Sequence, residues 1–168
     1  IIFAQLQQSL GKPIEVWHQC GMHDVAAVAA NYDEHSITAQ VQPFFHDMAK
    51  VYTGVDVVVA RAGALTLSEL MAVGAASIIV PLPNSRDDHQ LYNARYYERM
   101  GACWVMLEQE LKNQKTMLAK LLLLLSSDAC RKQMQRRALA QAKPTAAFDI
   151  VEKCKSLLMS MHSKLADK

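Results

Sequence analysis

Residues 56–69 read DVVVARAGALTLSE, and the hydrophobic period changes halfway along this stretch. Val57 to Val59 form a β-branched run without polar alternation, the pattern of a parallel strand buried on both faces. The run predicts an interior strand rather than an exposed edge. It breaks at Arg61, Ala62 and Gly63 and resumes at helical spacing, with Leu65, Leu67, Leu70 and Met71 apolar and Thr66 and Glu69 polar. Strand, glycine turn and helix start follow one another. A helix placed this way directs unpaired N–H groups and the positive end of its dipole at the crevice above the strand's carboxyl end, where a phosphate binds readily. A carboxylate at that helix start would repel the phosphate, whereas Glu69, one turn further along, can accept hydrogen bonds from neutral hydroxyls such as those of a ribose. The plainer alternative is that Glu69 only complements the helix dipole and Gly63 only permits the turn.

At 168 residues the chain has the length of one domain with a full core, too short for a second complete one. Half of it is hydrophobic (51%), a fifth is charged (20%), and the net charge is +2. That balance excludes a disordered chain and a nucleic-acid binder held by charge. The basic residues gather late, at Arg131, Lys132, Arg136 and Arg137, and read as a solvated helix face. Cys20, Cys103, Cys130 and Cys154 stand far apart with no CxxC pair, which argues against a zinc site and fits a reducing compartment. The longest apolar run, Leu121 to Leu125, falls far short of the roughly twenty residues a membrane helix needs. No signal peptide is visible, and because the chain opens with Ile1 inside a helical pattern, it reads as a fragment.

The rest of the chain alternates in the same way. Ile1 to Leu10 has helical spacing and stops at Gly11, Lys12 and Pro13. Ile14 to His18 reads as a strand, Met22 to Asn31 as an alanine-rich helix, and Ile37 to Val41 as a strand followed by a loop, Phe44 to Met48, and a short helix. Ser77 to Pro81 is a further strand, Gln90 to Met100 a helix, Cys103 to Leu107 the last strand, and three helices follow from Lys112, one of them ended by Pro144. Five strands centred on 14–18, 37–41, 56–60, 77–81 and 103–107, separated by helices, predict an all-parallel doubly wound α/β sheet. In the order 3-2-1-4-5-6 the first strand lies at the centre. A chain that begins in a helix would lack that strand.

Ligands of open α/β sheets sit outside the strands' carboxyl ends, here the loops His18–Gly21, Phe44–Met48, Arg61–Thr66 and Pro81–Asn93. Asp88, His89, Gln90 and Asn93 fall close together, with Gln90 and Asn93 on one helical face, and could grip a sugar. A capped, solvated first turn would look similar. His18, His23, His35, His46, His89 and His162 show no ligand spacing, and no serine sits in a nucleophile elbow, which disfavours a metal centre or a hydrolase triad. The residues alone leave two classes open: a nucleotide or nucleotide-sugar domain, and a non-catalytic receiver or sensor module.

RAGALTLSELMAVGAASIIVPLP, followed by DDHQLYNA and preceded by FFHDM and WHQCG, closely resembles the carboxy-terminal domain of the MurG family of peptidoglycan glycosyltransferases. The four motifs occur in the family's order over nearly the whole chain. The resemblance implies the Rossmann-like carboxy-terminal half of a GT-B enzyme: residues 1–143 as the UDP-sugar-binding domain without its first strand, and 144–168 as a helix returning to an amino-terminal domain. It implies the donor part of an inverting transferase that moves N-acetylglucosamine from UDP-N-acetylglucosamine to lipid I, forming lipid II on the inner face of the bacterial cell membrane. The backbone of Phe45 would read the uracil edge, and Glu69 would hold the ribose hydroxyls. Ala64, Leu65 and Thr66 would meet the diphosphate and sugar, Gln90 with His89 would bind the sugar hydroxyls, and Asn93 would support that loop. It implies no cofactor or metal. Lipid I and the general base would belong to the amino-terminal domain. The alternatives are a stand-alone donor subunit of a two-chain transferase, a UDP-N-acetylglucosamine epimerase half, and a domain that only binds nucleotide. An epimerase would need cleft carboxylates beyond Glu69 and Asp88.

Overall fold

The computed structural model describes residues 2–166, so the readings at Ile1, Asp167 and Lys168 lie outside the described residues. Its elements are α1 (Ile2–Leu10), β1 (Glu15–Gln19), α2 (Val25–Glu34), β2 (Thr38–Gln42), α3 (Met48–Gly54), β3 (Val58–Ala60), α4 (Ala64–Val73), β4 (Ser77–Ile79), α5 (His89–Arg99), β5 (Trp104–Val105), α6 (Gln114–Ser126), α7 (Asp128–Leu139) and α8 (Ala146–Ala166). Short 3-10 turns, Arg86–Asp88 and Glu108–Lys112, precede α5 and α6.

Every strand pairing is parallel, as the alternation of strands and helices predicts. The strands form two ladders, β1 with β2, and β3-β4-β5 in that order. Among the described residues no pairing joins β1 to β3. This corrects the expectation for Val57 to Val59. Among the described residues β3 pairs with β4 on one side only, which makes it an edge of this ladder, and Val59 is 47% exposed. The strand buried on both faces is β4, where Ser77, Ile78 and Ile79 are all 0% exposed.

Alternate residues of β4 enter two different cores, as the two-residue period of a strand requires. Ile79 packs with Tyr52, Leu67, Leu70, Met71, Ala94 and Val105, which belong to α3, α4, α5 and β5. Ile78 and the following Val80 pack with Leu6 of α1, Met117, Leu121 and Leu124 of α6, Met134 of α7, and Met106 just after β5. Helices therefore cover both faces of the β3-β4-β5 ladder.

Several boundaries move for local reasons. The Ile37 N–H still bonds the Tyr32 carbonyl at the end of α2, which delays β2 by one residue. Gly21 has φ +82 and Asp24 is the N-cap of α2, so the helix starts at Val25 rather than Met22. α7 ends at Leu139, where Ala140 is its C-cap, and Pro144 lies beyond the helix end. The late basic cluster is not one solvated face. The Arg131 side chain is only 14% exposed, pairs with Asp56 and Asp128, and donates to the Leu124 carbonyl. In α8, Phe148, Ile150, Val151, Leu157, Leu158 and Met159 are exposed.

Gly74 ends α4 in the left-handed region, at φ 67, and a Cβ there would stand 2.5 Å from Leu139 Cγ. Both the backbone angle and the contact between α4 and α7 demand glycine. Gly74→Ala is expected to cost about 2–4 kcal/mol in chemical denaturation, combining left-handed strain with overpacking. Gly63→Ala should stay below about 1 kcal/mol, because φ there is −60 and the nearest atom to an added Cβ is 3.6 Å away.

Candidate functional site

The start of α4 carries no side-chain cap. Its first intrahelical bond runs from the Leu67 N–H to the Gly63 carbonyl at 2.9 Å, so the N–H groups of Ala64, Leu65 and Thr66 precede it. At Gly63 the backbone is ordinary extended chain, so glycine is not needed there for its angles. What it contributes is the absence of a side chain that would satisfy or cover those donors. Ala64 and Leu65 are exposed and Thr66 is half-buried, leaving a helix start open to an anionic group.

Glu69 lies in the next turn, half-buried, and its Oε2 accepts a hydrogen bond from the Tyr52 hydroxyl at 3.3 Å. Tyr52 belongs to α3, which follows β2, whereas α4 follows β3. The bond thus ties together elements that leave two separate ladders. Burial, and then the neighbouring Glu69 carboxylate, push the Tyr52 hydroxyl up to about 12. The phenol remains a donor across the neutral range, holding one carboxylate oxygen and leaving Oε1 for a ligand.

At the end of β4, the Gln90 Oε1 accepts from the Leu82 N–H at 3.0 Å, and the Gln90 N–H donates to Ser85 Oγ at 3.4 Å. With its carbonyl oxygen committed to Leu82, the side chain has its amide NH2 to offer a ligand. His89 opens α5 as an exposed residue, and half-buried Asn93 follows Gln90 one turn along. Asp87 and Asp88 both adopt left-handed backbone, at φ 51 and 52. That is uncommon for residues with a Cβ and tolerated best by Asn and Asp. The Phe45 side chain is 8% exposed and stacks on Trp17 at 6.3 Å, so the residue can offer a ligand only its backbone.

Four further residues of these strand ends went unassigned in the sequence. Gln19 accepts from the Phe45 N–H at 3.0 Å, and Tyr52 holds Glu69. Arg61, at the end of β3, pairs with Glu108 at 2.6 Å across a separation of 47 residues and also approaches the carbonyls of Val80 and Pro81. Position at a strand's carboxyl end was the available signal for Gln19 and Arg61. For Tyr52 and Glu108 nothing in the local pattern gave one. His18 bonds Tyr32 at 3.0 Å through Nδ1. Among the described residues no three His, Cys, Asp or Glu side chains gather as a metal site.

The model of the glycosyltransferase family 28 C-terminal domain matches residues 2–150. The chain belongs to this family. A curated protein of Pseudomonas putida (strain W619), named UDP-N-acetylglucosamine--N-acetylmuramyl-(pentapeptide) pyrophosphoryl-undecaprenol N-acetylglucosamine transferase, is 43% identical over 140 residues, covering 83% of this chain and 39% of that protein. The equally named protein of Pseudomonas syringae pv. tomato (strain ATCC BAA-871 / DC3000) is 43% identical over 151 residues, covering 90% and 42%. The chain thus spans about two-fifths of the length of these relatives. The crystal structure of Acinetobacter baumannii MurG superposes with a TM-score of 0.75 at 33% identity, covering 91% of this chain and 46% of that one. The fold is accordingly the Rossmann-like carboxy-terminal half of a GT-B enzyme, as the sequence led one to expect.

The Tyr52–Glu69 pair has a titration signature. The hydroxyl's folded value, about 12, lies above the ordinary value of 10. Its stabilising contribution is complete below pH 10 and lost as pH rises through about 12. Ultraviolet titration of tyrosinate should show a late-ionising phenol in the wild type that is missing in Tyr52→Phe, and the wild type should lose stability more steeply than the variant over that interval.

Proposed function

We propose that this chain is the donor-binding part of an inverting glycosyltransferase that moves N-acetylglucosamine from UDP-N-acetylglucosamine to lipid I, forming lipid II in peptidoglycan synthesis. The observation that carries the reading is the Tyr52–Glu69 pair. A carboxylate oriented from α3 stands one turn behind the uncapped start of α4, in the register that places neutral ribose hydroxyls behind a diphosphate. Family membership and the printed name of the relatives support the same substrate class.

In this reading the N–H groups of Ala64, Leu65 and Thr66 receive the diphosphate and sugar through the helix dipole, and Glu69 accepts from both ribose hydroxyls. The Gln90 amide, with His89 beside it, donates to the sugar hydroxyls while Asn93 supports the loop, and the Phe45 backbone reads the uracil edge. Residues 1–143 form this donor domain. The interruption between β1 and β3 falls where the 3-2-1-4-5-6 order has its first strand, which supports a central strand supplied by chain preceding residue 1. Residues 144–168 return toward an amino-terminal domain that binds lipid I and carries the catalytic base, and the exposed apolar residues of α8 support that role. The enzyme works on the cytoplasmic side, peripheral to the membrane. No helix among the described residues is long and apolar enough to cross a bilayer.

Calorimetric titration of UDP against the full-length protein carrying this sequence tests the reading. Glu69→Ala should weaken UDP by about 1.5–3 kcal/mol, the range for hydrogen bonds to a charged group, and leave acceptor binding unchanged. Equal UDP affinities in the two proteins would reduce Glu69 to a complement of the helix dipole.

A further inference from the structure

The backbone N–H of Phe45 is already occupied. Gln19, the last residue of β1, extends its side chain across to the loop after β2, and its Oε1 accepts from that N–H at 3.0 Å. Gln19 is exposed whereas Phe45 is buried. The acceptor is therefore an exposed side chain, and the donor is fixed by the ring stacked on Trp17. A primary amide presents a carbonyl acceptor beside an N–H donor, the same pair of groups found along the imide edge of uracil.

We infer that Gln19 is a built-in stand-in for the nucleobase, which must leave Phe45 before the base can bind, and that it sets the affinity of the base subsite. The inference rests on the donor-site reading above, in which the Phe45 backbone meets the uracil edge. Its energetics follow from the cost of leaving a part-buried donor unsatisfied. In the empty protein Gln19 satisfies the Phe45 N–H, so arrival of a ring carbonyl exchanges one hydrogen bond for another and gains little from that contact. A side chain without an acceptor leaves the donor poorly satisfied until the base arrives. Stability lost by the empty protein is then returned on binding. The released Gln19 lies beside the base, where it bears on which ring is accepted. A ring that offers an amino group at this position meets the Phe45 N–H donor to donor, and does not displace Gln19.

The test uses Gln19→Met in the full-length protein, a change of similar length at an exposed position that replaces the amide carbonyl with a thioether, a far weaker acceptor. Three readouts are taken: UDP affinity, pyrophosphate affinity by competition, and hydrogen exchange at the Phe45 amide. Displacement predicts that Gln19→Met binds UDP about two- to tenfold more tightly, the worth of one neutral hydrogen bond. Pyrophosphate, which carries no base, should bind both proteins alike, and the Phe45 amide of the empty variant should exchange faster than in the wild type. Unchanged or weaker UDP binding by Gln19→Met overturns the inference. If Glu69→Ala still weakens UDP in that case, the donor-site reading stands without it. If the wild type fails to bind UDP at all, both fall. A tighter grip on pyrophosphate and UDP together would mean a general rearrangement of the crevice and would also overturn it.

Discussion

Strand β4 has to be dry on both faces, and most of the structure follows from that. Ile79 looks into one apolar layer, and Ile78 and Val80 into the other. A strand in this position can be covered only by helices on opposite sides of its sheet, and only parallel strands joined by crossover helices place them there. Burying Ser77 with the rest leaves its hydroxyl without a hydrogen-bond partner among the described residues. Tight packing around the strand's amino end accompanies this, since the Ser77 N–H meets the Met134 sulfur at 3.3 Å.

The same constraint sets where ligand chemistry can occur. Because each ladder is parallel, its loops leave from the strands' carboxyl ends, and helix starts such as that of α4 come with them. The residues that matter are then adjusted by contacts between neighbouring units. Tyr52 reaches from α3 to Glu69, Leu82 fixes the Gln90 amide, and Glu108 reaches back to Arg61. In each case one hydrogen-bonding group of the side chain is engaged by the protein. What remains for a ligand is thereby limited in number and direction.

The order of elements was legible because strands and helices differ in hydrophobic period, and that difference survives in a single sequence. The place of Glu69 in the second turn of α4 was legible as well, since its offset from the glycine turn is a local property. The exposure of β3 was not, because Val57 to Val59 carry the composition of a buried strand whether or not a neighbour lies on both sides. Nor were the partners of Glu69 and Phe45 legible, which stand 17 and 26 residues away and meet only once the crossovers are formed. Arg131 looked like one member of a solvated charge run, yet it sits against Asp56 and the end of α6. Spacing along one helix says nothing about which charge lies across from it.

In the proposed reading one crevice, along the carboxyl ends of both ladders, receives a uridine diphosphate sugar. Amide chemical-shift mapping of the full-length protein with UDP-N-acetylglucosamine tests this most directly. The largest perturbations should fall together on Phe45, Ala64, Leu65, Thr66, Glu69 and Gln90 and saturate with one affinity. Perturbations centred instead on the apolar cleft lined by Phe3, Val59, Met117 and Leu121, or confined to one ladder, would contradict it.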